Sequence, residues 1–133
     1  MKLSMLFLTV LIVITFFPNS SQSHQNIPYC PEKSIRVYEH TSFTGRRKLI
    51  ELEGFQEGEV YSLKAMDMQD NISSVVWNLP SGWVVMLHDH ENGTGKTYQM
   101  KGNGSDPSTH NKDFRDCATS FSYRRGYKAR WDR

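Results

Sequence analysis

Two stretches of the chain carry the same reactive residue types at the same spacing. Tyr38-Glu39-His40 is followed by Gly45, and His88-Asp89-His90 by Gly95, so each pairs a carboxylate with an adjacent His and places a Gly six residues past the carboxylate. His-Asp-His invites a transition-metal reading, because alternate residues of a strand share a face. A zinc site needs three or four ligands in a defined shell, and the sequence identifies no third. Nucleophilic catalysis has no better support. No Ser or Cys sits in a recognisable strained turn, and no carboxylate pair marks a cleft. Gly102-Asn103-Gly104-Ser105 is glycine-rich but lacks the Lys and following helix of a phosphate loop. No enzyme activity is expected, and the repeat itself is the feature to explain.

The elements that position these residues read as strands. Apolar residues alternate or form short β-rich runs in Ile35 to Tyr38, Lys48 to Glu51, Ser73 to Trp77, Trp83 to Leu87, Thr97 to Met100 and Thr119 to Tyr123. Gly, Asn, Asp and Pro clusters separate them at turn spacing, the pattern of an antiparallel sandwich or barrel. LKAMDMQD (63–70) suits a short helical turn at most. The repeat extends along the chain. Ile35 to Gly45 aligns with Val85 to Gly95 at an offset of 50, and QDNISSVVW (69–77) with RDCATSFSY (115–123) at an offset of 46. One Greek key exposes an apolar sheet face, and two can bury both faces as a sandwich. Trp77, Trp83, Phe43 and Phe121 are assigned to that core.

The first 23 residues read as a secretory signal peptide: Lys2, an apolar run from Leu6 to Phe17, then small polar residues. The run is short of the roughly 20 residues that span a bilayer, and no other segment is apolar enough to anchor the chain. The protein is therefore expected to be secreted and extracellular, not membrane-spanning, and monomeric. The mature chain of about 110 residues is one domain. Residues 24–33 form an N-terminal segment, 34–123 the domain with halves 34–78 and 82–123, and 124–133 a basic tail. Two cysteines remain, Cys30 at the start of the mature chain and Cys117 near its end. An even count in an oxidising compartment reads as a disulfide, worth about 4 kcal/mol for so long a loop; the alternative is two free thiols. Sequons at Asn71, Asn92 and Asn103 are candidate glycosylation sites, the last two in Gly-rich turns.

Tyr38-Glu39-His40-Thr41-Ser42-Phe43-Thr44-Gly45 resembles the folded hairpin of the βγ-crystallin family, in which Gly takes a backbone conformation costly for other residues and aromatics pack over the turn. The second copy is degenerate: His88 stands for the first aromatic, Asp89 for the Glu and Gly93 for the second aromatic, with Gly95 kept. The resemblance covers residues 34–123 and implies an all-β fold of two Greek-key motifs packed as a βγ-crystallin-like sandwich. It assigns Ser74 and Ser120 to packing the hairpins, together with Tyr38, Phe43, Gly45 and Gly95. It also implies two calcium sites, each assembled from both polar loops. Side-chain oxygens would come from Asp70, Ser73, Asp116 and Thr119, and backbone carbonyls from Glu39, Asn71, Asp89 and Cys117. Such oxygens suit Ca²⁺, a hard cation. Gln69 and Arg115 depart from the Asn or Asp that opens each loop; Gln69 offers a neutral oxygen but adds no charge, and Arg115 has no acceptor atom. Weak calcium binding with a structural role is the expectation.

The tail RRGYKARWDR holds five basic residues and one acid, whereas residues 24–123 hold 10 basic and 13 acidic. Basic residues interleaved with Tyr127 and Trp131 suit an anionic surface such as lipid headgroups or polysaccharide. A secreted interaction or defence protein, antimicrobial, toxin-like or inhibitory, acting without metal, is the alternative function. An intracellular nucleic-acid role conflicts with the leader.

Overall fold

A computed structural model describes residues 26–126. The expected signal peptide (1–23) and most of the basic tail lie outside the described residues. Eight strands follow in order: β1 (Ser34–His40), β2 (Thr44–Glu51), β3 (Tyr61–Ser62), β4 (Ser74–Asn78), β5 (Val84–His88), β6 (Thr97–Lys101), β7 (Asn103–Asp106) and β8 (Ser120–Arg124). Short 3-10 turns at Thr41–Phe43, Leu52–Gly54, Lys64–Met66 and Thr109–Lys112 complete the secondary structure of the described residues.

The strands form two four-stranded antiparallel sheets, in the orders β2-β1-β4-β7 and β3-β8-β5-β6. Each half of the chain gives its third strand to the other half's sheet. β3 pairs with β8, Tyr61 opposite Phe121, and β7 pairs with β4, Gly104 opposite Trp77. The alternation seen in the sequence explains which face turns inward. Ile35 and Val37, Ile50, Val75, Val85 and Leu87, Tyr98 and Met100, and Phe121 and Tyr123 lie between the sheets and are essentially sealed from solvent. Trp77 and Trp83 are half-buried against this core.

A second, smaller cluster of Cys30, Tyr38 and Val76, with Phe43 and Leu49 against it, sits apart from the main core. Tyr38 and Val76 alternate with the inward Val37 and Val75, so the cluster covers the outer face of the first sheet. Its position corrects the expected Cys30–Cys117 disulfide: both cysteines are free thiols. The Cys30 Sγ lies 3.3 Å from the Ser34 carbonyl and 3.8 Å from the Val76 carbonyl, with one proton for the two, in the outer cluster, whereas Cys117 packs against the core between the sheets. Two thiols in different layers cannot meet the geometry of a disulfide without moving backbone.

The sequence reading named neither β3 nor β7. β7 contains the Asn103 sequon, read as a turn. It is a strand because β4 offers it a free edge and because Gly104 leaves room for the Trp77 indole, which would overlap any Cβ there. The indole nitrogen is satisfied by the Lys101 carbonyl at 2.9 Å.

Candidate metal centre

The two hairpins are built alike. Gly45 has φ +80° and Gly95 φ +83°, and in each the preceding His ring lies on the glycine. A Cβ on Gly45 would come 2.5 Å from His40 Cδ2, and one on Gly95 would overlap the Asp89 carboxylate and the His90 ring. Serines from the following strands hold the hairpins. Ser74 Oγ donates to the His40 carbonyl (2.6 Å) and accepts from the Phe43 N–H (3.0 Å), while Ser120 Oγ donates to the His90 carbonyl (2.5 Å). Tyr38 and Phe43 pack edge to face at 5.7 Å. His88, in the place of Tyr38, is buried and pairs through Nε2 with Ser122 Oγ at 2.9 Å. Burial holds its pKa below the usual imidazole value, against a smaller upward pull from the Asp89 charge.

The polar loops curl because each contains two aspartates in the left-handed region: Asp67 and Asp70 (φ 56° and 55°), Asp113 and Asp116 (φ 55° and 46°). Asp tolerates that region better than most residues. The curl turns each loop toward the other, and the Asp70 N–H donates to the Ala118 carbonyl at 2.9 Å.

Two crossed sets of oxygens result. In the first, Ser73 Oγ donates to Asp116 Oδ1 at 2.6 Å. Glu39 and Asn71 line the same depression, of about 490 Å³, along with His40, Thr41, Asp70 and His110. In the second, Thr119 Oγ1 lies 3.1 Å from Asp70 Oδ1, 3.0 Å from the Asp89 carbonyl and 3.3 Å from the Cys117 carbonyl. A hydroxyl has one proton, so it can serve only one of those three acceptors. Two of the three acceptors are thus left without the Thr119 proton. Each set draws a carboxylate from one loop and a hydroxyl from the other.

Among the described residues, no three His, Cys, Asp or Glu side chains converge as a metal site. Half of the oxygens in the second set are backbone carbonyls, and a hydroxyl is a third donor type; that composition belongs to hard-cation chemistry, not to zinc. His88 and His90 do not act as a pair. One is buried on Ser122, and the other is an exposed side chain over Gly95.

Several residues around these sets were not singled out from sequence. Arg46 forks between Glu39 Oε2 and Asp67 Oδ2, both at 2.6 Å, and its guanidinium lowers the Glu39 pKa. Lys96 bonds Asp113 Oδ2 at 2.9 Å. His110 Nε2 is enclosed, has no hydrogen-bond partner and lies 3.9 Å from Asp116 Oδ1. Arg115 Nε lies 3.8 Å from Asp116 Oδ2. The signal for the first pair of bridges was present: Arg46 and Lys96 continue the offset of 50, and Asp67 and Asp113 that of 46. Of the sequon residues, Asn92 and Asn103 are exposed and Asn71 is half-buried beside the first set.

Paired Greek keys that exchange their third strands, with two folded hairpins over two crossed oxygen-rich loops, define a class of β domain. It is the βγ-crystallin domain fold. A structure solved for the evolution of the eye-lens βγ-crystallin domain fold superposes with a TM-score of 0.60 at 16% identity, over 73% of this chain and 91% of that one. A βγ-crystallin from Ciona intestinalis gives 0.53 at 21% identity, over 67% and 96%. A βγ-crystallin domain from Clostridium beijerinckii gives 0.51 at 25% identity, over 69% and 98%. No family model and no curated protein matches the sequence.

Proposed function

We propose that this chain is a secreted, non-catalytic βγ-crystallin-type module that binds Ca²⁺ weakly in its crossed loops, and that the ion stabilises the fold. The single observation that supports this is the Thr119 set, where three acceptor oxygens surround one hydroxyl. Ca²⁺ takes six to eight oxygens, some from water. Asp70, Thr119 and the carbonyls of Asp89 and Cys117 would supply the protein's share at the second set; Asp116, Ser73 and the carbonyls of Glu39 and Asn71 would supply it at the first. The ion would provide positive charge and a cross-link between loops that come from different halves of the sandwich. Two neutral carbonyls per carboxylate give a low ligand charge, which suits the affinity of extracellular modules, about 10⁻⁴ M.

The test is thermal unfolding in chelator and in about 10 mM Ca²⁺. At roughly 100 times its dissociation constant, a ligand of the native state adds about 2.7 kcal/mol. For a domain of this size that raises Tm by about 10 °C or more, and the rise should vanish in the Asp70→Asn/Asp116→Asn double variant. An unchanged Tm, or an equal rise in the double variant, removes the calcium reading.

A further inference from the structure

The two oxygen sets are related by the repeat but are not electrically alike. Around the first, Glu39 and Asp116 each have a basic group beside them, and only Asp70, which lends its own oxygen to the second set, has no ion pair among the described residues. Arg46 takes Glu39 at 2.6 Å, and Arg115 lies 3.8 Å from Asp116. His110 crowds the same carboxylate from its other oxygen, and Ser73 donates its proton there. Around the second, Lys96 occupies the position that Arg46 holds one repeat earlier, seven residues after the hairpin carboxylate. An Arg fork can hold two carboxylates at once, whereas a Lys ammonium is a single point charge on a flexible stem. Arg46 accordingly bonds both Glu39 and Asp67, but Lys96 bonds Asp113 alone.

Asp89 is left over. Its Oδ1 is enclosed and has no hydrogen-bond partner, and the nearest basic group is the exposed His90 imidazole at 3.6 Å. An enclosed carboxylate oxygen without a partner is costly. The Asp89 backbone carbonyl lies 3.0 Å from Thr119 Oγ1, so the carboxylate sits one residue's reach from the second set. Two carboxylates therefore act on the second set with no forked cation between them.

Building on the calcium reading, we infer that the chain holds one divalent cation rather than two, at the Thr119–Asp70–Asp89–Cys117 set, and that the unneutralised Asp89 carboxylate is the residue that gives this set its advantage. Asp89 serves in two ways: its carbonyl faces Thr119, and its side chain supplies charge. Gln69, which opens the loop carrying Asp70, costs this set only a charge, whereas Arg115 sets a cation beside the carboxylate of the other.

Calcium titration calorimetry on the purified protein tests this, with Tm in chelator as the control for folding. One ion per chain is expected. Asp70→Asn should abolish binding, and Asp116→Asn should leave the site occupied. Asp89→Asn keeps the carbonyl and removes the charge; Lys96→Arg keeps the Asp113 bridge and adds a fork that reaches Asp89. Each should weaken binding by about tenfold, the scale of one unit charge a few ångströms away at a half-exposed site. Two equivalent ions, loss of binding in Asp116→Asn with retention in Asp70→Asn, or unchanged affinity in both Asp89→Asn and Lys96→Arg overturns the inference while leaving calcium binding standing. No heat with the unaltered protein would instead remove the calcium reading itself, and the inference with it.

Discussion

At the scale of single residues, degeneracy in the second hairpin has a thermodynamic consequence. Tyr38 and His88 hold equivalent places, but only the His can titrate near neutrality. His88 is buried on Ser122, and burial holds its folded pKa below the unbound value of 6.5. The unfolded chain therefore binds a proton that the folded chain refuses. The stability tied to this neutral imidazole is fully present above pH 6.5 and is lost as pH falls through the lower folded pKa. Unfolding followed from pH 7.5 down to 5 should show a falling Tm. His88→Gln, whose amide can keep a bond to Ser122 without titrating, should show a shallower fall across that window. Parallel profiles for the two proteins would assign the pH dependence to other groups.

At the scale of elements, β7 shows what a neighbour can impose on a sequence with no strand character. Asn103-Gly104-Ser105-Asp106 consists of turn residues, yet it pairs with β4 along four positions. Gly104 lets the Trp77 indole lie across it. Gly104→Val would raise β-propensity but force the indole aside. A net loss of about 1–3 kcal/mol is expected, the usual cost of overpacking a well-filled site, with a shift in Trp emission. A variant as stable as the parent, with unchanged emission, would show that the ring has another place to go. The same element marks the limit of what could be read in the sequence. β1, β2, β4, β5, β6 and β8 carry alternation or β-rich runs and could be recognised from it. β3 has two residues and no period to detect, and β7 has the wrong residues; both are strands only because a partner edge receives them. The cysteines were misread for a related reason. Their places near the two ends of the mature chain suggested a staple, but which sheet layer each enters depends on packing that no spacing records. Of the oxygen sets, the loops and the hydroxyls were recognisable by resemblance. His110 was not, since one His in a polar connection carries no signal. The division of labour between Arg46 and Lys96 depends on side-chain reach rather than on position.

At the scale of the whole molecule, the exchange of β3 and β7 makes the two halves one cooperative unit. The first half alone would leave β3 without β8, β4 with an open edge, and the inward face of Ile35, Val37, Ile50 and Val75 in water. The second half alone would lose β7's partner in the same way and expose Val85, Leu87 and Phe121. The hairpin and loop chemistry follows suit, because Ser73 reaches Asp116 and Thr119 reaches Asp70 across the halves. Small domains bury only a modest share of their surface, so neither half has apolar area to spare. The intact protein should unfold in a single transition, with far-ultraviolet circular dichroism and Trp fluorescence giving the same midpoint. Separate chains of residues 26–80 and 81–126 should each lack a β spectrum, and mixing them should restore it in a concentration-dependent way. A folded 26–80 chain, or two resolved transitions in the whole protein, would mean that the repeat is a pair of autonomous modules and that the strand exchange adds little to stability.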